Sequence, residues 1–189
     1  SFRRPLEQNT PLAFERVFPW AVACTQELAD YAARFGITTL VENHGFFFNG
    51  SDRMIRLIDA VNRPNFGLLL DTGNFVCVDE DPVVAVKKCV GLAKMVHLKD
   101  FYIRKAERLT GVGGLFRCDA GNWFSTNSGS YMLRGSILAQ GDLDVWEILR
   151  ILKSASYAGF VSVEFEGMEP GEIGSDYGIS AARYILNRV

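Results

Sequence analysis

Lys94-Met95-Val96-His97-Leu98-Lys99-Asp100 is the stretch that decides the fold. It is a short β-rich run, apolar in alternation and polar at its end. Three further runs share that form: Thr38-Thr39-Leu40-Val41-Glu42-Asn43-His44-Gly45, Gly67-Leu68-Leu69-Leu70-Asp71-Thr72-Gly73-Asn74 and Phe160-Val161-Ser162-Val163-Glu164-Phe165-Glu166-Gly167. Runs of this kind read as buried parallel strands that lead into loops. Segments with helical spacing separate them, so the repeat is β-α-β-α. The pattern predicts an α/β fold of TIM-barrel type, with about four parallel strands at 38–43, 66–71, 94–99 and 160–165 and helices covering them. In such folds the carboxyl ends of the strands carry the chemistry. Side chains alternate across a strand. Val41, Val96, Leu98, Val161 and Val163 then face the helices, while Glu42, Asp71, His97 and Glu164 can point into one interior.

Working outward, residues 12–35 have helical spacing, with Phe18, Ala21, Val22, Leu28, Tyr31, Ala32 and Phe35 recurring at three- and four-residue steps and Gly36 closing the helix. Ser51 and Asp52 offer an N-cap to a helix over 52–63, which Pro64 stops. Asp79-Glu80-Asp81-Pro82 opens a helix that runs to about Val90, acidic at its start and with a first-turn proline. Asp144 caps a helix over 145–156, and a last helix covers 174–188. Residues 1–11 form an extended lead-in. Residues 102–141, rich in Gly, Ser and Asn, read as one long loop serving as a lid over the carboxyl-end opening.

The chain has 189 residues, 48% of them apolar, and a formal net charge of −2, which fits a single domain over 1–189. That charge gives no electrostatic footprint for nucleic acid. No apolar run is long enough to span a bilayer, and the first residues do not read as a secretory h-region. Cys24, Cys77, Cys89 and Cys118 show no CxxC spacing and read as reduced thiols in a cytoplasmic protein.

Three carboxylates and one imidazole (Glu42, Asp71, His97, Glu164) make a hard, anionic set. It suits Mn²⁺, Mg²⁺ or Co²⁺, with Zn²⁺ also compatible. The plainer reading is a polar cluster that ties strand ends together by hydrogen bonds. Four such residues at the ends of four successive strands favour the metal. Around them stand further candidates. Lys99, on the face of His97, can hold a substrate oxygen or polarise a carbonyl, or else pair with Asp71 or a glutamate. Asp100 caps the turn. His44 and Glu166 lie on the substrate side, His44 alternatively as a hydrogen-bonded loop residue. Arg134 can bind a phosphate or carboxylate bidentately, or lie at the surface. Trp123 and Phe124 stack on a sugar face or pack the loop onto the rim. Gly111-Val112-Gly113-Gly114 is too loose for a phosphate cradle.

Val41-Glu42-Asn43-His44-Gly45, Leu69-Leu70-Asp71-Thr72-Gly73-Asn74-Phe75, Val96-His97-Leu98-Lys99-Asp100 and Val163-Glu164-Phe165-Glu166-Gly167 together resemble the sugar phosphate isomerase/epimerase family, the xylose isomerase-like TIM barrels. Ile151-Leu152-Lys153 and Tyr157-Ala158-Gly159-Phe160 resemble that family's run into its last strand. The resemblance covers about residues 15–189. It implies a divalent metal on Glu42, Asp71, His97 and Glu164, and proton exchange with substrate by Glu42 and Glu164. The activity implied is isomerisation or epimerisation of a small sugar or sugar derivative through an enediolate. A lyase that dehydrates a keto-inositol would use the same chemistry. DNA repair of the endonuclease IV type, found on the same barrel, fits two histidines and a negative charge poorly. An inactive remnant is the remaining alternative. Asn74 stands where many relatives carry a histidine, on the substrate side, and Gln140 stands where another is frequent. A closed barrel takes roughly 250 residues, so the chain reads as the second half of one. Its two sheet edges would then be open, and the expectation is a homo-oligomer or a missing N-terminal half.

Overall fold

The computed structural model describes residues 9–110 and 123–189. The 111–114 glycine run, Cys118 and most of the lead-in lie outside the described residues. Helix α1 (Pro11–Ala33) is capped by Thr10, whose Oγ1 accepts from Ala13 N at 3.1 Å, and has proline in its first turn. Strand β1 (Thr39–Glu42), helix α2 (Ser51–Val61), strand β2 (Phe66–Asp71), helix α3 (Pro82–Cys89) and strand β3 (Ala93–Leu98) follow. The first half of the chain thus keeps the expected alternation. A short 3-10 turn, Asn74–Val78, was not expected from the sequence. After an intervening segment come helix α5 (Val145–Ser154), strand β7 (Phe160–Val163) and helix α6 (Gly171–Leu186).

The main sheet has the order β1-β2-β3-β7, and every pairing in it is parallel. Asp71 pairs with His97, and His97 with Ser162, so the polar ends come level. On the outer face Leu68, Leu70, Val96 and Leu98 are fully buried against Leu57, Val86 and Leu149 of the helices. Burying each such side chain contributes about 1.5–3 kcal/mol.

Three expectations are corrected. Helix α2 takes its cap from the next unit: Glu80 accepts from Ser51 N at 2.7 Å and from the Ser51 hydroxyl, while neither Ser51 nor Asp52 is the N-cap. Leu28, Tyr31 and Phe35 keep the expected helical spacing and are 65%, 60% and 61% exposed. The first two, with Thr39, Leu40 and Phe66, line an open groove along the unpaired edge of β1. At the other edge Phe160 is 83% exposed, and Val161 is also exposed instead of covered by a helix.

The third correction concerns 102–141. It is not one loop. Strand β4 (Asp100–Lys105) begins one residue after β3 and leads into helix α4 (Ala106–Thr110). Strands β5 (Phe124–Ser125) and β6 (Tyr131–Ser136) join β4 in a separate antiparallel sheet, in the order β4-β6-β5. Phe101, Leu133 and Cys77 form a small second core beneath it.

Candidate metal centre and adjoining cavity

Glu42 and Asp71 are the last residues of their strands, His97 is the penultimate residue of β3, and Glu164 directly follows β7. Glu164 N donates to Leu98 O at 2.9 Å, which carries the ladder one residue further and sets Glu164 two places beyond Ser162, the partner of His97, on the same face of the strand. One ligand atom from each of Glu42, Asp71, His97 and Glu164 lies within 4.8 Å of all the others. His97 Nδ1 stands 3.2 Å from Glu164 Oε2 and 3.8 Å from Glu42 Oε1.

Asp71 is held rigidly. Its Oδ1 accepts from Gly73 N at 2.9 Å and Asn74 N at 2.7 Å. Its backbone is gripped by Asn43, whose Nδ2 donates to Asp71 O at 2.9 Å and whose Oδ1 accepts from Asp71 N at 2.8 Å. Asp71 Oδ2 is buried and accepts no hydrogen bond. A buried carboxylate oxygen without a donor is costly unless a cation meets it. That oxygen, the imidazole and two further carboxylates fit a hard divalent ion.

The groups of the cluster also shift one another's protonation. Burial is the largest influence on Asp71 and pushes its carboxyl up to about 7, with Lys99 pulling it down. His97 hydrogen-bonds Glu164 and holds its carboxyl far below the usual range, with Asp71 and Lys99 acting in the same direction. Glu164 in turn raises His97. Lys99 lies inside the cluster at 1% exposure. Its Nζ is 3.2 Å from Glu164 Oε2, 3.2 Å from Glu166 Oε2, 3.6 Å from Asp71 Oδ2 and 3.4 Å from Asn74 Oδ1. Burial works against its charge, but Asp71, Glu166 and Glu164 more than offset this and raise its pKa. The ion-pair alternative for Lys99 is therefore the one the geometry displays.

Beside the cluster lies a cavity of about 330 Å³. Its polar wall is His44, Asn74 and Glu166; its apolar wall is Phe46, Phe101 and Phe124. Phe101 and Phe124 meet edge to face at 5.7 Å between ring centroids. Arg134 is not among the residues lining it. Leu133 takes the inner face of β6, so Arg134 takes the outer one, where its guanidinium lies 4.9 Å from the Tyr102 ring and 5.3 Å from Trp123. Phe124 reaches the cavity and Trp123 does not. Asp100 does fasten its turn. Its carboxylate accepts from Phe101 N at 2.8 Å, Gly141 N at 2.9 Å and Leu143 N at 3.2 Å, and burial pushes it up to about 6.

Sequence reasoning missed Asn43, Phe46 and Phe101. Asn43 stands inside the first quoted motif, so its position was in view. Nothing in an isolated amide says that it will clamp a neighbouring strand.

A barrel half with a metal-type cluster at its strand ends defines a class of protein. The chain belongs to the xylose isomerase-like TIM barrel family, whose model matches residues 8–184. Inosose dehydratase of Clostridium perfringens is 27% identical over 163 residues, which are 86% of this chain and 52% of that protein. The chain thus spans about half the length of the curated relatives it matches. A xylose isomerase-like TIM barrel protein from Mycobacterium smegmatis, solved in complex with magnesium, superposes with a TM-score of 0.64 at 19% identity, covering 99% of this chain and 53% of that one. L-ribulose 3-epimerase superposes with a TM-score of 0.64 at 16% identity, covering 99% and 57%. These two show the shared fold.

Proposed function

We propose that the chain carries the metal-binding half of an enzyme that abstracts a proton beside the carbonyl of a small sugar or polyhydroxy ketone. The outcome is epimerisation, isomerisation or, as the names of the curated relatives favour, dehydration. The observation that carries the reading is the convergence of Glu42, Asp71, His97 and Glu164 beside a cavity of about 330 Å³. A divalent ion held by these four, with Mn²⁺, Mg²⁺ or Co²⁺ preferred, would supply Lewis acidity to a substrate oxygen.

The chain's own groups do the rest. Glu164, kept ionised by His97, serves as a base at neutral pH. Glu42 stands on the other side of His97 and exchanges the proton at the opposite end. Lys99 keeps its charge and acts through its field, polarising a substrate oxygen, not as a proton donor. His44, Asn74 and Glu166 orient hydroxyls from the polar wall, and the aromatic wall covers the C–H face of the substrate and excludes water. Arg134 has no part in this reading, because it sits on the far face of β6. Cover for the two open edges, from a second copy or an N-terminal half, belongs to the same proposal.

The test is hydrogen exchange. A panel of ketoses and keto-inositols is incubated in D₂O with protein and Mn²⁺, and label is followed at the carbon beside the carbonyl. Exchange that needs metal and disappears in Glu42→Gln and Glu164→Gln is expected. Turnover without any solvent exchange would mean hydride transfer and remove both glutamates from the base role.

A further inference from the structure

The acidic cluster already contains a cation. Lys99 Nζ lies 3.6 Å from Asp71 Oδ2 and 3.2 Å from Glu164 Oε2. Asp71 Oδ1 is occupied by two backbone N–H groups, so Oδ2 is the oxygen that Asp71 has to offer an ion. Glu164 Oε2 is also the atom nearest His97 Nδ1, at 3.2 Å. The ammonium therefore rests on the oxygens that a divalent ion beside His97 would take. We infer that Lys99 is a built-in competitor for the metal and sets how tightly the centre holds it. The inference rests on reading the four residues as a metal site.

The geometry also says where the ammonium goes. Glu166 Oε2 is 3.2 Å from Nζ, and the Glu166 side chain is 49% exposed at the cavity, free to follow a small shift. When an ion takes Asp71 and Glu164, Lys99 keeps Glu166 as its partner and turns its charge towards the cavity. A singly and a doubly charged cation a few ångström apart repel strongly even at an effective dielectric of about 20. The retained charge weakens the metal in proportion. A purely structural lysine predicts the opposite sign: losing it would disorder Asp71 and weaken binding.

Calorimetric titration with Mn²⁺ separates these. Lys99→Met fills the same space without charge and is expected to bind Mn²⁺ about tenfold tighter or more, since a nearby like charge has been removed. Lys99→Arg keeps the charge and is expected to stay within about threefold of the original protein. Equal or weaker binding in Lys99→Met overturns the inference while leaving the metal reading intact. Absence of Mn²⁺ binding in both the original protein and Lys99→Met overturns the metal reading and this inference with it. Should Lys99→Met fail to fold alone, thermal unfolding with Mn²⁺ decides. Rescue, with a larger rise in Tm than the original protein shows, supports the competition, and failure to rescue overturns it.

Discussion

Asp71 gives the centre a pH dependence whose direction follows from its surroundings. Burial pushes its carboxyl up to about 7, and Glu164 raises His97. A ligand must lose its proton before it can bind an ion. Below about pH 7 Asp71 holds a proton that the ion must displace, and His97, raised by Glu164, holds its own proton more tightly than an ordinary imidazole; above about pH 7 Asp71 is already ionised. Mn²⁺ affinity is therefore expected to rise from pH 6 to pH 8, with proton release visible as buffer-dependent binding heat. Affinity that is flat over that window would mean Asp71 is not a ligand. At this scale the sequence was readable where a polar residue ends an apolar run, because the strand itself aims the side chain. That is why Glu42, Asp71, His97 and Glu164 could be grouped before any coordinates. Lys99 was readable as inward-facing, with Asp71 or a glutamate as its alternative partner, but Asp71 ends β2 and Glu164 and Glu166 follow β7, so that it meets all three at once leaves no local trace. Arg134 was left between an anion-binding and a surface role for the converse reason. Alternation orients a side chain only once its strand has been recognised, and β6 had not been.

Among the elements, the antiparallel sheet is where sequence and structure part. Glycine, serine and asparagine between 102 and 141 suggested a loop, yet β4 pairs with β6 from Asp100↔Ser136 to Lys105↔Tyr131. The ladder is non-local, and β4 starts so soon after β3 that the two read as one motif. Gly135 shows how closely this sheet is docked. A Cβ built there would stand 2.1 Å from Glu166 O and 2.3 Å from its carbonyl carbon, both backbone atoms. Gly135→Ala must move either β6 or the Glu164–Glu166 turn. The expected cost is about 1–3 kcal/mol, as for other overpacked sites, read as a Tm several degrees lower. An unchanged Tm would show that the two backbones are not in contact. Removing residues 108–136 would take away β5 and β6 and leave Phe101 uncovered. Loss of a folded product is expected by circular dichroism, and a cooperative thermal transition in the shortened chain would show that the sheet is dispensable.

For the whole molecule, the two free edges dominate. β1 and β7 are each four residues long, run in the same direction, and border exposed Leu28, Tyr31 and Phe35 at one end and Phe160 at the other. Four parallel strands are half the eight of a closed barrel. For the purified chain the proposed cover is another copy, β1 of one beside β7 of the next. Sedimentation at micromolar concentration is expected to show a dimer, and a well-folded monomer would refute this closure. Helical spacing showed an apolar stripe on α1 but not what lies against it. The Asp100 carboxylate has a wider consequence. It grips the chain at Phe101 and again at Gly141 and Leu143, so one side chain buckles the excursion shut at its base. The grips fix where the excursion leaves and rejoins the main sheet, so an exchange of side chains along it that keeps the β4–β6 ladder leaves those two points in place. The excursion is in this sense a clasped panel, and its Phe124 can be exchanged to reshape the cavity wall above an unchanged row of strand ends.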